Sequence, residues 1–362
     1  MAGSGTAHLR READDTVLTV NDLVVEFPTA GNRTVHAVSG LNFDLAAGET
    51  LGILGESGCG KSSAARALMQ LPAPTSGRVL FGGAELTTTT PKYLRRVRTK
   101  LHMVMQDPVS SLNPRRKVKD LVAEGPSIRG GNASRSAERV AGMLREVGLD
   151  PTVVWDRRPH ELSGGQCQRV CIARALMLEP EVLVCDEPVS SLDVSVQAQI
   201  LNLLERTKQQ HGLSMLFIAH DVAVVKNVSD RVMVMYAGKT CEVLPSRGLH
   251  RRALHPYTRL LLGSVPGAYD EAVSTGDVRV DGELPSPVSP PSGCRFRTRC
   301  PLATELCAHQ EPELRHMGGG QYVACHHIEP GEAGGESVRS TTFDPPETVP
   351  VASTDDRKDQ QP

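Results

Sequence analysis

The sequence predicts an α/β fold built on a mostly parallel sheet, and three observations carry that prediction. Short, continuously apolar runs such as 182–185 alternate with segments of helical spacing. A glycine-rich phosphate-binding motif lies between one such run and a helix. Two carboxylates directly follow the run 182–185, at the edge where open α/β sheets bind their ligands. We therefore expect a sheet whose carboxyl edge carries a nucleotide site.

Composition limits the classes of protein. The 362 residues suffice for two domains, or for one large domain with appendages. A net charge of -2 argues against nucleic acid as the main partner, and we expect none. No run reaches the roughly 20 apolar residues of a transmembrane helix, and the polar N-terminus does not resemble a signal peptide. We expect a cytosolic chain whose nine cysteines are thiols or metal ligands.

The N-terminal half is expected to begin with a pair of strands at 17–20 and 23–27, followed by mixed alternation over 35–45. Later strands end at polar or glycine-rich positions, and we place them at 50–54, 77–83, 101–105, 182–185 and 214–219, with edge strands at 231–236 and 239–244. Helical spacing is expected in the segments 63–69, 117–149, 194–211 and 222–228.

The predicted domain boundaries follow shifts in composition. Glycine, proline and acidic residues dominate the ends of the chain and one internal stretch. We expect a disordered tail at 1–15, a nucleotide-binding domain at 16–262 with a helical subdomain at about 107–178, a linker at 263–293, a small cysteine-rich extension at 294–327 and a disordered tail at 328–362.

The phosphate loop (residues 55–63) fits G-x-x-x-x-G-K-[ST]. It consists of Gly55, Glu56, Ser57, Gly58, Cys59, Gly60, Lys61, Ser62 and Ser63. Its glycines let successive backbone N–H groups surround a phosphate at a helix N-terminus, whose dipole favours an anion. Lys61 can reach the β- and γ-phosphates, and the Ser62 hydroxyl can ligate Mg²⁺. A chance match would lack the preceding strand and the following helix, so we predict a nucleotide site.

Two carboxylates at the end of the strand 182–185 suit hydrolysis. Asp186 is placed to hold the Mg²⁺ shell, and Glu187 can accept a proton from an attacking water. A solvated acidic pair at a strand end is the alternative, which the presence of Lys61 and Ser62 disfavours.

A second candidate phosphate cradle (the signature, residues 162–166) opens a later helix. Its residues are Leu162, Ser163, Gly164, Gly165 and Gln166. A serine and two glycines at a helix start offer a hydroxyl and backbone donors to a phosphate. One active site does not need two cradles, so this one is expected to serve a site on another subunit.

These motifs together resemble the nucleotide-binding subunit of an ABC transporter. Gln106 matches the family's Q-loop, residues 191–193 its D-loop and His220 its switch histidine, all in family order between about residues 17 and 244. The resemblance implies a phosphate-loop ABC ATPase domain with an antiparallel β subdomain and a helical subdomain. It also implies that two such domains face each other head to tail around two ATP molecules.

The resemblance further implies roles for single residues. Glu187 would be the general base, while His220 would hold the γ-phosphate and the water. Gln106 would contact Mg²⁺ and the water, with Ser62 and Asp186 as the other protein ligands of the ion. ATP would also contact Lys61, the residues 163–166 and Asp193. Phe27 is the expected adenine-stacking aromatic, although it could equally be a core residue of its strand.

Three further segments resemble the dipeptide, oligopeptide and nickel importer branch of that family, namely 106–115, 255–261 and the cysteine-bearing residues 293–301 with 323–326. The branch implies an ATPase at the cytoplasmic face of the membrane. Its partners would be a second ATPase subunit, identical or homologous, two integral-membrane permeases and an extracytoplasmic peptide-binding protein. Nickel or another small solute stays an alternative to peptides. A soluble non-transport ATPase should show coiled-coil insertions or a second nucleotide domain, and neither is visible.

Four cysteines of the extension, Cys294, Cys300, Cys307 and Cys325, are spaced C-x5-C-x6-C-x17-C. Structural zinc sites usually have closer ligand pairs, so zinc is disfavoured. Four thiolates can hold a [4Fe–4S] cluster, which related peptide-importer subunits bind in this region. Small buried residues without a metal are the alternative. Cys167 and Cys171 are expected to be packing residues, and the histidines at 326 and 327 to be surface residues.

Overall fold

Two sheets organise the structure, which is a computed structural model that describes residues 8–9, 15–128, 133–264 and 283–330. The strands are β1 Thr16–Thr29, β2 Arg33–Ala46, β3 Thr50–Leu54, β4 Ser76–Phe81, β5 Ala84–Glu85, β6 Leu101–Val104, β7 Val182–Asp186, β8 Ser214–Ala219, β9 Arg231–Tyr236, β10 Lys239–Pro245, β11 Leu314–Gly318 and β12 Gln321–Ala324. The four-stranded sheet has the order β2-β1-β4-β5 and is antiparallel. The eight-stranded sheet has the order β11-β12-β10-β9-β3-β8-β7-β6.

The helices connect and cover these strands. They are α1 Lys61–Leu68, α2 Pro91–Val97, α3 Val118–Val122, α4 Glu124–Ile128, α5 Ala133–Glu146, α6 Pro151–Val154, α7 Gly164–Leu176, α8 Val194–His211, α9 Val222–Val228, α10 Leu249–Arg252, α11 Pro256–Gly263 and α12 Glu305–His309, with a 3-10 turn at Pro159–Glu161. The predicted helices at 194–211 and 222–228 are confirmed, as are the strands at 50–54 and 214–219.

The parallel part of the large sheet runs from β9 through β3, β8 and β7 to β6. All residues of β3, β7, β8 and β9 are buried, because helices or the small sheet cover both faces. The α/β fold class is therefore confirmed, with a mixed rather than a purely parallel sheet. Since parallel strands end at one edge, the segments after β3, β6, β7 and β8 meet there.

The segment between β6 and β7 is helical, as expected. It contains α3 to α7, and the predicted apolar face of α5 and the residue after it, Val140, Leu144 and Val147, is buried in one core cluster with α7. This cluster is continuous with the core under the large sheet, so the helices are anchored to the sheet that carries the site.

The predicted opening pair of strands is wrong: β1 is one strand interrupted by a bulge. The pairing of β1 with β2 shifts between Val20 and Leu23, and Asp22 has a φ of 47°. The Asn42 side chain accepts from the Asp22 backbone N–H at 2.8 Å and donates to its carboxylate at 3.1 Å. Asn21 and Asp22 have the composition of a turn but form a bulge within β1. The bulge is favourable because Asn42 of the neighbouring β2 supplies hydrogen bonds to Asp22.

The expectation that 231–236 and 239–244 form edge strands is also wrong. β9 lies between β3 and β10, and β12 pairs with β10, with Glu242 opposite Val323. The fully buried Glu242 carboxylate accepts from the backbone N–H groups of Leu254 and His255 and from Gln321 Nε2. Burial raises the pKa of this carboxyl. The β11–β12 hairpin of the extension therefore continues the main sheet, while the domain boundary expected at 294 stays a prediction.

Several expectations fall on residues outside the described ranges. Most of the two predicted tails and residues 265–282 of the predicted linker are among them. In the part of the chain that the structure describes, no helix combines the length and the apolar character needed to span a bilayer.

Candidate nucleotide site

The predicted phosphate-binding, Mg²⁺-binding and catalytic residues come from four strand ends of the large sheet. The phosphate loop follows β3, Gln106 follows β6, Asp186 ends β7 with Glu187 next to it, and His220 follows β8. Because these strands are parallel and β3, β8, β7 and β6 are consecutive, one edge presents all of these side chains.

The phosphate loop has the glycines that its path requires. Gly60 has a φ of 104°, and a Cβ there would clash with the carbonyl oxygen of Ala37. A Cβ at Gly55 would clash with the carbonyl oxygen of Met235. Ser57 and Gly58 are exposed, whereas Cys59 is buried and its thiol pKa is raised by that burial. The loop ends where α1 begins, with Lys61, Ser62 and Ser63 in the first turn.

Lys61 lies inside the loop. Its side chain is buried, and Nζ donates to the carbonyl oxygens of Gly55 at 2.7 Å and Glu56 at 2.9 Å. The loop itself therefore holds the ammonium group where phosphate oxygens would approach. A buried ammonium interacts strongly with an anion, because little water screens it.

Ser62 and Asp186 form the candidate Mg²⁺ pair. Ser62 Oγ donates to Asp186 Oδ1 at 2.8 Å, linking the start of α1 to the end of β7. Burial raises the pKa of the Asp186 carboxyl, although the Ser62 hydrogen bond acts in the opposite direction. A hydroxyl and a carboxylate are hard oxygen donors, and Mg²⁺ typically completes its shell with water and substrate phosphates. These residues fit the ion.

Three predicted catalytic residues meet at one carboxylate oxygen. Gln106 Nε2 donates to Glu187 Oε2 at 2.9 Å, and His220 Nδ1 lies 3.4 Å from the same oxygen. Glu187 has a φ of 46°, a left-handed conformation that costs a non-glycine residue about 1–3 kcal/mol. Its backbone N–H donates to the Ile218 carbonyl of β8 at 3.0 Å, which holds that conformation. The structure thus places the Glu187 carboxylate beside its two expected partners, Gln106 and His220.

The signature lies at the surface. Ser163 caps α7 by accepting from the Gln166 N–H at 3.3 Å, and its own N–H donates to Gln166 Oε1 at 3.0 Å. Ser163 and Gly164 are exposed, while a Cβ at Gly165 would be only 2.6 Å from Val196 of α8. The second glycine therefore also has a packing role.

Asp193 and Phe27, both expected to contact the nucleotide, also have structural roles in the fold. Asp193 caps α8, accepting from the Val196 N–H and from Ser195 Oγ at 2.7 Å, which lowers its carboxyl pKa. Phe27 is half-buried and packs against the core beneath the small sheet, opposite Val35. The nucleotide contacts of both residues stay predictions.

The four cysteines of the extension are free thiols near one another. Burial, followed by the charges of Cys325, Cys294 and Cys307, raises the pKa of Cys300 to about 12. Burial likewise raises the pKa of Cys294 to about 11, with Cys307 and Cys325 contributing. His327, expected at the surface, is half-buried and its Nε2 lies 3.4 Å from Cys307 Sγ. Among the described residues, no three His, Cys, Asp or Glu side chains are placed to hold a metal ion, so the structure supports neither zinc nor the predicted iron–sulfur cluster.

Sequence reasoning missed two residues that contact the phosphate loop. Arg299 forms an ion pair with Glu56, and the Tyr257 hydroxyl accepts from the Glu56 backbone N–H at 2.9 Å. They lie 243 and 201 positions from Glu56. No local pattern connects positions so far apart.

Comparison with known proteins gives two matches to family models. One, described as ABC transporter, matches residues 38–190, and the other, described as the C-terminal region of oligopeptide/dipeptide transporters, matches residues 241–307. The chain is 46% identical over 322 residues to the di/tripeptide transport ATP-binding protein DppF of Pseudomonas aeruginosa, covering 87% of this chain and 98% of the relative. It is 45% identical over 334 residues to the oligopeptide transport ATP-binding protein OppF of Escherichia coli, covering 88% and 98%.

Two solved structures are similar to the described fold. The dimeric ATP-binding cassette MJ0796, in a post-hydrolysis state with ADP and phosphate, matches at a TM-score of 0.58 and 25% identity, covering 64% of this chain and 99% of that one. CbiO1 of Clostridium perfringens, part of the ABC transporter complex cbiONQ, matches at a TM-score of 0.59 and 28% identity, covering 70% and 97%.

Proposed function

The chain belongs to the ABC transporter family of ATP-binding proteins, and from that premise we propose that it is the ATP-hydrolysing subunit of a peptide importer. The observation that carries the ATPase activity is the meeting of Gln106, Glu187 and His220 beside the phosphate loop and the Ser62–Asp186 pair. Peptides are favoured as the solute because the relatives are di/tripeptide and oligopeptide transport proteins.

Each residue has a defined part in the proposed hydrolysis. Backbone N–H groups of residues 55–63 bind the phosphates, and Lys61 neutralises the β- and γ-phosphate charge. Ser62 and Asp186 would hold Mg²⁺, with Gln106 as the further expected ligand, and the bound ion would supply positive charge beside the phosphates. Glu187 accepts the proton of the attacking water, and His220 orients that water against the γ-phosphate.

The proposed partners follow from the exposed signature and from the relatives. Since Ser163 and Gly164 are exposed, they are free to complete the ATP site of a second, identical or homologous, ATPase subunit. The transport role of the relatives supports two integral-membrane permeases and an extracytoplasmic peptide-binding protein as the other components. The chain would then work at the cytoplasmic face of the membrane.

Peptide uptake tests the proposed solute. A strain that lacks this gene should resist toxic peptide analogues, and expression of the wild-type chain should restore sensitivity. Lys61→Ala should fail to restore it, because import needs ATP binding. Radioactive nickel uptake, measured in the same strains, is the matched control. Unchanged peptide sensitivity together with loss of nickel uptake would contradict peptide import and favour the nickel alternative.

We also propose that Cys294, Cys300, Cys307 and Cys325 bind a [4Fe–4S] cluster. The type and number of donors support this proposal, because the four cysteines are free thiols. Their side chains are not arranged as a metal site in the described structure, so the proposal rests on the donors and not on their geometry. As thiolates they would be the cluster ligands, and the raised thiol pKa values mean that they would otherwise stay protonated at neutral pH.

Anaerobic purification tests the cluster. The wild-type chain should be brown, with charge-transfer absorption and about four iron atoms per chain, as four thiolates around one cubane require. Cys300→Ser should lose most of the iron, whereas Cys171→Ala, at a buried cysteine of α7, should retain it. A colourless wild-type protein with stoichiometric zinc would refute the cluster.

A further inference from the structure

The phosphate loop is contacted by a part of the chain far beyond its own strand and helix. Arg299 Nη1 donates to Glu56 Oε2 at 2.8 Å, and Arg299 Nη2 donates to Glu56 Oε1 at 3.1 Å. The two parallel hydrogen bonds make a fork-shaped ion pair, the strongest geometry for arginine and a carboxylate. The Arg299 side chain is only 9% exposed, so water screens this pair less than a surface pair.

Aromatic rings hold the Arg299 guanidinium in place. Its carbon lies 5.7 Å from the ring centre of Tyr236 and 6.0 Å from that of Phe296, and Nη1 also lies 3.4 Å from the Tyr236 hydroxyl. Phe296 is fully buried and packs edge-on against Tyr236. A guanidinium placed in this way loses little conformational freedom when it binds a carboxylate.

Glu56 is held at its backbone as well as its side chain. Its N–H donates to the hydroxyl of Tyr257, which is buried against Tyr236 with ring centres 4.6 Å apart. Its carbonyl accepts from Lys61 Nζ at 2.9 Å. The backbone N–H, the backbone carbonyl and the carboxylate of Glu56 therefore all have hydrogen-bond partners. One of these partners is Lys61, the lysine expected to bind the phosphates.

The charge of Glu56 makes this arrangement relevant to ATP. A carboxylate at the second position of a loop that binds a polyphosphate repels its ligand, and the repulsion is strong where water is partly excluded. Arg299 supplies a compensating positive charge in direct contact with both carboxylate oxygens.

We propose that Arg299 is a positioning residue for nucleotide binding, which acts through Glu56 by neutralising its charge and fixing the loop. The extension 294–327, which contains Arg299, would then help to position the phosphate loop for ATP. The alternative is that the ion pair only attaches the C-terminal residues to the domain. The two cases predict different results for a variant that lacks both Arg299 and the Glu56 charge. If charge neutralisation matters, ATP affinity should recover in that variant, and if only attachment matters, it should not.

Nucleotide binding to the purified full-length chain tests the proposal. Arg299→Ala should weaken binding of a fluorescent ATP analogue about tenfold, the size expected for one partly screened charge near a phosphate. The KM for ATP in the assembled transporter should rise by a similar factor, with kcat at saturating ATP within about twofold of wild type, since the reacting groups are unchanged. The loss should shrink at high salt.

Two further variants separate charge from attachment. Glu56→Gln in the Arg299→Ala background should restore most of the affinity, because the unpaired carboxylate is gone. Arg297→Ala, at an arginine whose Nε donates to the Ser292 carbonyl oxygen, should bind ATP like the wild type. Should Arg299→Ala not fold, Arg299→Gln retains the bulk and amide donors and should show the same loss. Unchanged ATP affinity in the folded Arg299 variant, or no recovery in the double variant, would overturn the proposal.

Discussion

Replacing Glu187 by Gln should lower ATP hydrolysis by about 10²–10⁴-fold, the usual contribution of a general base, while ATP binding is retained. The amide cannot accept the proton of the attacking water. The phosphate loop, Lys61 and the Ser62–Asp186 pair do not depend on the Glu187 charge for their contacts. ATP should therefore bind, and hold two ATPase subunits together in the closed dimer.

The measurement is phosphate release by the purified transporter, combined with binding of a fluorescent ATP analogue and size-exclusion chromatography with ATP. Glu181→Gln makes the same chemical change at an exposed residue that pairs with Lys100, so it serves as the control. Near-normal hydrolysis by the Glu187→Gln transporter would show that another group acts as the base.

Replacing Lys61 by Ala should weaken ATP binding by about 10–100-fold, because a charge-assisted hydrogen bond contributes about 1.5–3 kcal/mol. Hydrolysis should fall further, since Lys61 also neutralises charge on the transferred phosphoryl group. The change leaves the Gly55 and Glu56 carbonyl oxygens without the ammonium partner that they have in the structure. We therefore also expect a modest loss of thermal stability, about 1–3 kcal/mol.

Calorimetric titration with ATP and a thermal unfolding curve, recorded on the same preparation, separate these two effects. Lys100→Ala, at a half-exposed lysine on the surface, should affect neither. If Lys61→Ala bound ATP with wild-type affinity, the loop 55–63 would not be the triphosphate site.

Most of the site could be predicted because its residues follow local patterns. A buried run of five residues predicts β3, the glycines after it predict the phosphate loop, and the acidic pair at the end of β7 predicts the candidate residues for Mg²⁺ binding and hydrolysis. Parallel strands then bring these segments together without further information. The family assignment and the ATPase class are confirmed by the comparisons. The roles of single residues, Phe27 above all, stay predictions.

The parts that the sequence did not reveal depend on pairing between distant segments. The segment 314–324 is short and interrupted by glycines, so no alternation of apolar and polar residues predicts the hairpin that pairs with β10. Asn21 and Asp22 look like a turn in isolation, and only Asn42 on β2 makes a bulge favourable there.

By itself, the sequence determined the fold class, the central strands of the large sheet and the edge of that sheet at which the predicted site residues meet. These follow from side-chain periodicity and turn chemistry, which act within a few residues. Only the tertiary structure decided that Arg299 and Tyr257 hold Glu56 of the phosphate loop. Such contacts depend on which surfaces remain uncovered once the sheet has formed, and that is a property of the whole packed chain.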